Sequence, residues 1–248
     1  MTDERATTTD ATARGARHPA AEHMVLVLDV DDLVVAMRLA KEVAPWFRVA
    51  KVGLELYSAT GPDAVGSLLD LGFDVFVDLK MFDIPTTVNR AAKVVGSLGA
   101  SYLTLHARDD GTMLRAGAEG FVEGARNAGL PDPTALAVTV LTSDKGAPDH
   151  ILPRRVLLAV QAGCGGVVCA ASDLHDVRQL APRLTTVVPG IRPHGVPHHD
   201  QARAATPAVA IAAGADLLVI GRAVTGADDP GAAAAAIADE VLAARSGA

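Results

Sequence analysis

Val75-Phe76-Val77-Asp78-Leu79-Lys80-Met81-Phe82-Asp83-Ile84-Pro85-Thr86-Thr87-Val88 contains a strand, a polar turn and the entry to a helix in one short stretch. Val75–Leu79 is an apolar, β-branched run of strand length. Pro85 suits the first turn of a helix, and an Asp just before Ile84-Pro85 has the look of an N-cap. The helix then runs over Val88–Leu98. Inside the strand, Asp78 and Lys80 stand at i and i+2, so both side chains project to the same side. A carboxylate and an ammonium in an apolar strand are costly unless paired.

The same unit repeats along the chain from Met24. Strands are expected at Val25–Leu28, Val49–Val52, Val75–Leu79, Tyr102–Leu105, Ala135–Val140, Gly166–Val168, Thr186–Val188 and Leu217–Ile220. Amphipathic helices are expected at Leu33–Val43, Pro62–Leu71, Val88–Leu98, Met113–Asn127, Val156–Ala162, Leu174–Leu180, Ala208–Ala213 and Gly231–Ala244. Strands alternating with helices mean βαβ units and a parallel sheet. Eight such units can close into a (β/α)8 barrel. A doubly wound open sheet competes, and periodicity does not exclude it, but no Gly-x-Gly-x-x-Gly follows the first strand. One domain is expected over residues 24–248, preceded by a disordered tail over residues 1–23.

Of the 248 residues, 50% are hydrophobic and only 3% aromatic, so the core must be built from Val, Leu, Ile and Ala. That suits parallel strands buried on both faces. A formal net charge of −7 argues against nucleic acid as a partner. It leaves room for a small anionic substrate, because a few local cations can dominate one pocket. The N-terminal stretch has no apolar segment of the secretory kind. No apolar run reaches the roughly 20 residues of a membrane span. Cys164 and Cys169 have neither redox nor metal spacing and read as buried small hydrophobes in a reducing cytoplasm.

In a barrel, function sits at the C-terminal ends of the strands. Asp29 ends the first, Lys51 the second, Asp78 and Lys80 the third. Thr142 follows the fifth, Arg192 the seventh, and Gly221 and Arg222 the eighth. The chain has five lysines, and two of them, Lys51 and Lys80, fall in these strands. The plain alternative is an ion-pair network that only closes the barrel top. Loops after strands seven and eight of such barrels often bind phosphate. Gly190 and Gly221 would let the backbone approach an anion, and Arg192 and Arg222 would add charge-assisted bonds.

At these residues the chain resembles the orotidine monophosphate decarboxylase family. Phe76–Val88 matches the family signature Asp-x-Lys-x-x-Asp-Ile-Pro-x-Thr without a gap. Leu28-Asp29, Lys51-Val52-Gly53, Val138-Thr139-Val140-Leu141-Thr142-Ser143, Pro189-Gly190-Ile191-Arg192-Pro193, Asp200-Gln201 and Gly221-Arg222 follow in family order, so the resemblance covers roughly Val25 to Pro230.

The resemblance implies a single-domain (β/α)8 TIM barrel that converts orotidine 5'-monophosphate to uridine 5'-monophosphate with no metal and no cofactor. Lys51, Asp78, Lys80 and Asp83 would form the catalytic array, with Lys80 protonating C6 of the pyrimidine. Asp29 and Lys51 would hold ribose hydroxyls, Thr142 would face the ring, and Pro189 would belong to the substrate site. Arg192, Gln201, Gly221 and Arg222 would hold the phosphate and close a lid. Asp83 and Thr87 would be presented to the other subunit's site, making the protein a homodimer with shared active sites.

Two segments depart from the pattern. The loop His106–Gly111 is more acidic than the family's, which predicts altered loop packing. The loop His194–His199 is His-rich, as a solvated lid or a metal site could be. His106 itself reads as a hydrogen-bonded structural histidine sooner than a catalyst. The nearest rival is a metal-dependent sugar-phosphate decarboxylase or synthase of the same superfamily. Those relatives resemble one another in placing Glu where Lys51 stands, and Ala-Gly where this chain has Ile84-Pro85. A non-catalytic barrel for phosphorylated ligands competes as well, and so does a Schiff-base aldolase using Lys80 or Lys51.

Overall fold

The computed structural model describes residues 17–108, 110–141, 146–193 and 204–246. Alternating apolar runs become strands and amphipathic runs become helices, in chain order. β1 (Met24–Leu28) leads to α1 (Leu33–Val43), whose first turn is capped by the Asp32 carboxylate accepting from Val35 N–H at 2.9 Å. β2 (Val49–Gly53) is followed by α2 (Leu54–Thr60) and α3 (Asp63–Asp70). β3 (Asp74–Met81) leads to α4 (Pro85–Ser97), and β4 (Tyr102–His106) to α5 (Thr112–Asn127). β5 (Thr134–Val138), α6 (Ile151–Gln161), β6 (Gly166–Val168) and α7 (Leu174–Leu180) follow. β7 (Thr185–Val188) and α8 (Pro207–Ala212) precede β8 (Leu217–Ile220), and α9 (Arg222–Thr225) and α10 (Pro230–Ser246) complete the described residues.

The eight strands close into one all-parallel barrel in sequence order, with β8 pairing back onto β1. Side chains alternate between two cores. The outward set, among it Leu26, Ala50, Val77, Leu103 and Ile220, packs under the helices. The inward set, Val25, Val27, Val49, Phe76, Leu136, Val187, Leu217 and Val219, fills the barrel interior. Carrying the inward parity toward the C-terminal strand ends reaches Asp29, Lys51, Asp78, Lys80, Thr104 and Gly221. The polar residues of the sequence therefore stand where side chains must point into the mouth. Among the described residues, no helix is long and apolar enough to cross a membrane.

Three features differ from the sequence expectation. Residues 17–23, expected as part of a tail, are ordered: Pro19–His23 form a 3-10 turn with Ala20 and Ala21 buried. Arg48 N–H donates to the Ala21 carbonyl at 3.1 Å, and the Arg48 guanidinium bridges Glu22 and Asp74 at 2.9 and 2.7 Å. The helix α2 has no counterpart in the sequence reading; its one buried residue, Leu56, leaves no periodic face to read. And α4 begins at Pro85, ahead of the expected Val88, because proline's fixed φ and missing N–H suit the first helical position.

Helices α4 and α5 approach closely through glycines. A Cβ on Gly124 would lie 1.9 Å from the Lys93 carbonyl oxygen, and one on Gly120 would lie 2.3 Å from that of Asn89. The Asn89 amide spans the same seam, donating to the Ala116 carbonyl at 2.8 Å. This rigid pair follows β3 and β4, the two strands whose ends hold Asp78, Lys80 and Thr104.

Candidate active site

The mouth of the barrel encloses a cavity of about 660 Å³. Its floor is apolar, built from inward residues such as Val27, Phe76, Val168, Val187 and Val219. One wall carries Asp29, Lys51, Asp78 and Lys80; Pro189, Gly190, Arg192, Gly221 and Arg222 line it from β7 and β8.

The charged wall is a continuous chain of alternating sign. The Lys51 ammonium stands 3.2 Å from Asp29 Oδ1 and 3.3 Å from Asp78 Oδ2, while Lys80 Nζ donates to Asp78 Oδ1 at 2.8 Å. Lys51 is buried and Asp78 nearly so, whereas the Lys80 side chain keeps 34% of its surface exposed. Burial alone would push the Asp78 carboxyl up. The fields of Lys51 and Lys80, with hydrogen bonds from Lys80 and Thr104, outweigh it and hold the carboxyl below its usual range. Gly53 gives this wall its room: a Cβ there would meet Asp29 Oδ1 at 2.7 Å and Lys51 Nζ at 2.9 Å.

Lys80 has an unusual backbone. Among the described residues it is the one non-glycine with positive φ, at 47°. A left-handed lysine costs about 1 kcal/mol or more. The β3–β4 register accounts for it: Val77 pairs Leu103 and Met81 pairs Leu105, so residues 78–80 face Thr104 alone. The surplus bulges, and Lys80 N–H donates to Thr104 Oγ1 at 2.9 Å. The i, i+2 expectation for Asp78 and Lys80 holds in outcome, although regular strand geometry does not extend through Lys80.

Other expected residues fall elsewhere. Asp83 is exposed, and its Oδ1 accepts from the adjacent Ile84 N–H at 2.6 Å. The helix cap is Ile84, so the N-cap reading of Asp83 is corrected: a carboxylate bonded to the next residue does not reach the N–H groups of the first turn. Among the described residues of one chain, Asp83 makes no ion pair with the array, whose pairs join Asp29, Lys51, Asp78 and Lys80. Thr87 is exposed in the first turn of α4. Arg192 is buried, with Nη1 donating to the Ile191 carbonyl at 2.7 Å. Thr142, Gln201 and the loop His194–His199 lie outside the described residues, as does Asp109 in the loop His106–Gly111.

His106 departs from the expectation of a hydrogen-bonded histidine: its buried Nδ1 has no hydrogen-bond partner among the described residues. The ring stands edge-on to Phe82 at 6.1 Å between centroids. Burial lowers its pKa, and Arg108, Lys80 and Arg155 lower it further against the pull of Asp78. Sequence reasoning misses Thr104, because threonine is an ordinary strand residue. The available signal is its inward parity at the end of a strand between two leucines. Among the described residues, no three His, Cys, Asp or Glu side chains converge to hold a metal ion.

The Lys80 ammonium paired with the Asp78 carboxylate, and arginines across the mouth, suit a substrate with a reacting centre near Lys80 and an anionic group some distance away. Comparison with known proteins points the same way. The Orotidine 5'-phosphate decarboxylase / HUMPS family matches residues 22–237. An orotidine 5'-phosphate decarboxylase of Anaeromyxobacter dehalogenans is 44% identical over 229 residues, 88% of this chain and 97% of that one. One from Thermobifida fusca is 42% identical over 233 residues, 89% of this chain and 96% of that one. The crystal structure of an orotidine 5'-phosphate decarboxylase from Lactobacillus acidophilus superposes with a TM-score of 0.76 at 31% identity, covering 89% and 99% of the two chains. With the barrel, the charged array and these matches in agreement, the chain belongs to the Orotidine 5'-phosphate decarboxylase / HUMPS family.

Proposed function

We propose that this chain decarboxylates orotidine 5'-monophosphate to uridine 5'-monophosphate, without metal or cofactor. The observation that carries this is the Lys80 ammonium, paired with the nearly buried Asp78 carboxylate at 2.8 Å and facing the cavity. The bond from pyrimidine C6 to the carboxylate breaks, its electron pair stays on C6, and CO2 leaves. The Lys80 ammonium stabilises that pair and then gives its proton to C6. Asp78 stands by the departing carboxylate, where repulsion is relieved as CO2 forms.

Asp29 and Lys51 hold the ribose, with Thr142 at the pyrimidine and Pro189 at the substrate's edge. Arg192, Gln201, Gly221 and Arg222 hold the phosphate. Binding energy at the phosphate, remote from C6, orders the site. Lys51 supports independence from metal, because its ammonium sits between the Asp29 and Asp78 carboxylates where a cation would otherwise be needed.

The protein acts as a homodimer in which Asp83 and Thr87 complete the partner's site. Asp83 stands apart from the array of its own chain, and Leu54, Phe82 and Ile84, at the ends of adjoining β2 and β3, are exposed apolar residues. The buried thiols of Cys164 and Cys169 suit a reducing cytoplasm.

The test is a spectrophotometric assay with orotidine monophosphate, with and without excess chelator, on the parent and on Lys80→Ala. Conversion by the parent should be insensitive to chelator, and Lys80→Ala should fold yet lose turnover. Activity of Lys80→Ala within about tenfold of the parent would remove Lys80 as proton donor. Activity abolished by chelator would point to the metal-dependent sugar-phosphate relatives.

A further inference from the structure

Thr104 is wholly buried between Leu103 and Leu105 on β4. A hydroxyl there is costly unless bonded. Both of its bonds go to the reacting wall: Oγ1 accepts from Lys80 N–H at 2.9 Å and donates to Asp78 Oδ1 at 2.9 Å. It is also the one β4 residue facing the surplus residues 78–80.

We infer that Thr104 is a positioning residue for the reaction, its hydroxyl tying the left-handed Lys80 backbone to the Asp78 carboxylate so that both are aimed by one atom. The inference rests on the decarboxylase reading. Accepting from Lys80 leaves the Thr104 proton directed at Asp78, and it shares Oδ1 with the Lys80 ammonium while Lys51 faces Oδ2. The Thr104 bond is also one of the influences that keep the Asp78 carboxyl ionised. Removing the hydroxyl strands a buried N–H, frees the bulge to relax toward ordinary φ, and swings the Lys80 side chain with it. Displacements of that size act on the chemical step more than on the hold over a distant phosphate.

Thr104→Val keeps the shape and removes the hydroxyl, and Thr104→Ser keeps the hydroxyl. In the full-length protein, Thr104→Val should lower kcat at least tenfold, the order expected from losing a hydrogen bond to a charged group. KM should stay within about twofold. Thr104→Ser should recover most of the loss. Amide exchange at Lys80, followed by NMR, should be slow in the parent and in Thr104→Ser and about tenfold faster in Thr104→Val. Thr104→Ala gives the same readouts should Thr104→Val not fold.

A purely structural threonine would lower the melting temperature and leave kcat of the folded enzyme alone. The inference is overturned by a folded Thr104→Val with parental kcat, by an equal loss in Thr104→Ser, or by unchanged Lys80 exchange. A parent that converts no orotidine monophosphate overturns the decarboxylase reading instead, and Lys80 exchange still reports whether Thr104 holds that backbone.

Discussion

Asp78 and Lys80 meet at 2.8 Å, one nearly buried and the other reaching into the cavity. The folded pKa of Asp78 is depressed, so its contribution to stability is fully present above the unfolded carboxylate value of about 4 and is lost as pH falls through the lower, folded value. Asp78 therefore remains ionised across the neutral range. Urea denaturation between about pH 3 and pH 7 should show a shallower acid loss for Asp78→Asn than for the parent. The variant should also lose turnover by about a hundredfold or more, since the neutral amide holds the ammonium less firmly. Equal pH slopes would show that Asp78 titrates normally.

Gly53→Ala places a methyl against the far ends of two flexible side chains, Asp29 and Lys51. The barrel backbone can stay, but the ion pair must move. The expected outcome is a melting temperature close to the parent's, with kcat/KM reduced about tenfold. Thermal melts beside steady-state kinetics check this; unchanged kinetics would mean that the pair's position is immaterial.

Mixing two inactive variants tests the proposed shared site. A mixed pair of Lys80→Ala and Asp83→Ala chains leaves one site with both residues replaced and the other with neither. Co-refolding equal amounts should restore about a quarter of parental activity, from random pairing in a two-fold symmetric dimer. No recovery from well-folded, paired chains would place Asp83 outside the partner's site.

Gly124→Ala sets helix propensity against packing. Alanine gains about 1 kcal/mol in a helix interior. Its Cβ, however, would fall 1.9 Å from a backbone carbonyl oxygen of α4, which cannot swing aside. Overpacking of this kind costs about 3 kcal/mol, so the net effect is destabilising. Urea titration should show a lower midpoint, with the activity of the folded fraction kept. A raised midpoint would mean that α4 and α5 separate easily.

The barrel is legible in the sequence because parallel strands buried on both faces are nearly continuous apolar runs closed by turn residues. β6 and β8 fall where the sequence places them, and β1 begins one residue earlier, at Met24. The charged wall is legible from Lys51, Asp78 and Lys80, because such residues in apolar strands need partners. The bulge is not, since lysine does not signal a positive φ and a register shift depends on the neighbouring strand. α9 spans only four residues, Arg222–Thr225, too few for any period to emerge. Residues 17–23 look like a tail because their fixing contacts are long-range, as in Arg48 with Glu22.

That same segment places the start of the described chain on the side of the barrel away from the mouth. Arg17 lies over the Phe73 ring and donates to the Gly72 carbonyl at 2.6 Å, just before β3 enters the barrel. An affinity handle or a solid support joined directly at Arg17 would leave the entrance to the cavity facing solution. A deletion up to Met24, by contrast, would strip the cover from Ala20's place in the core and leave Arg48 without Glu22.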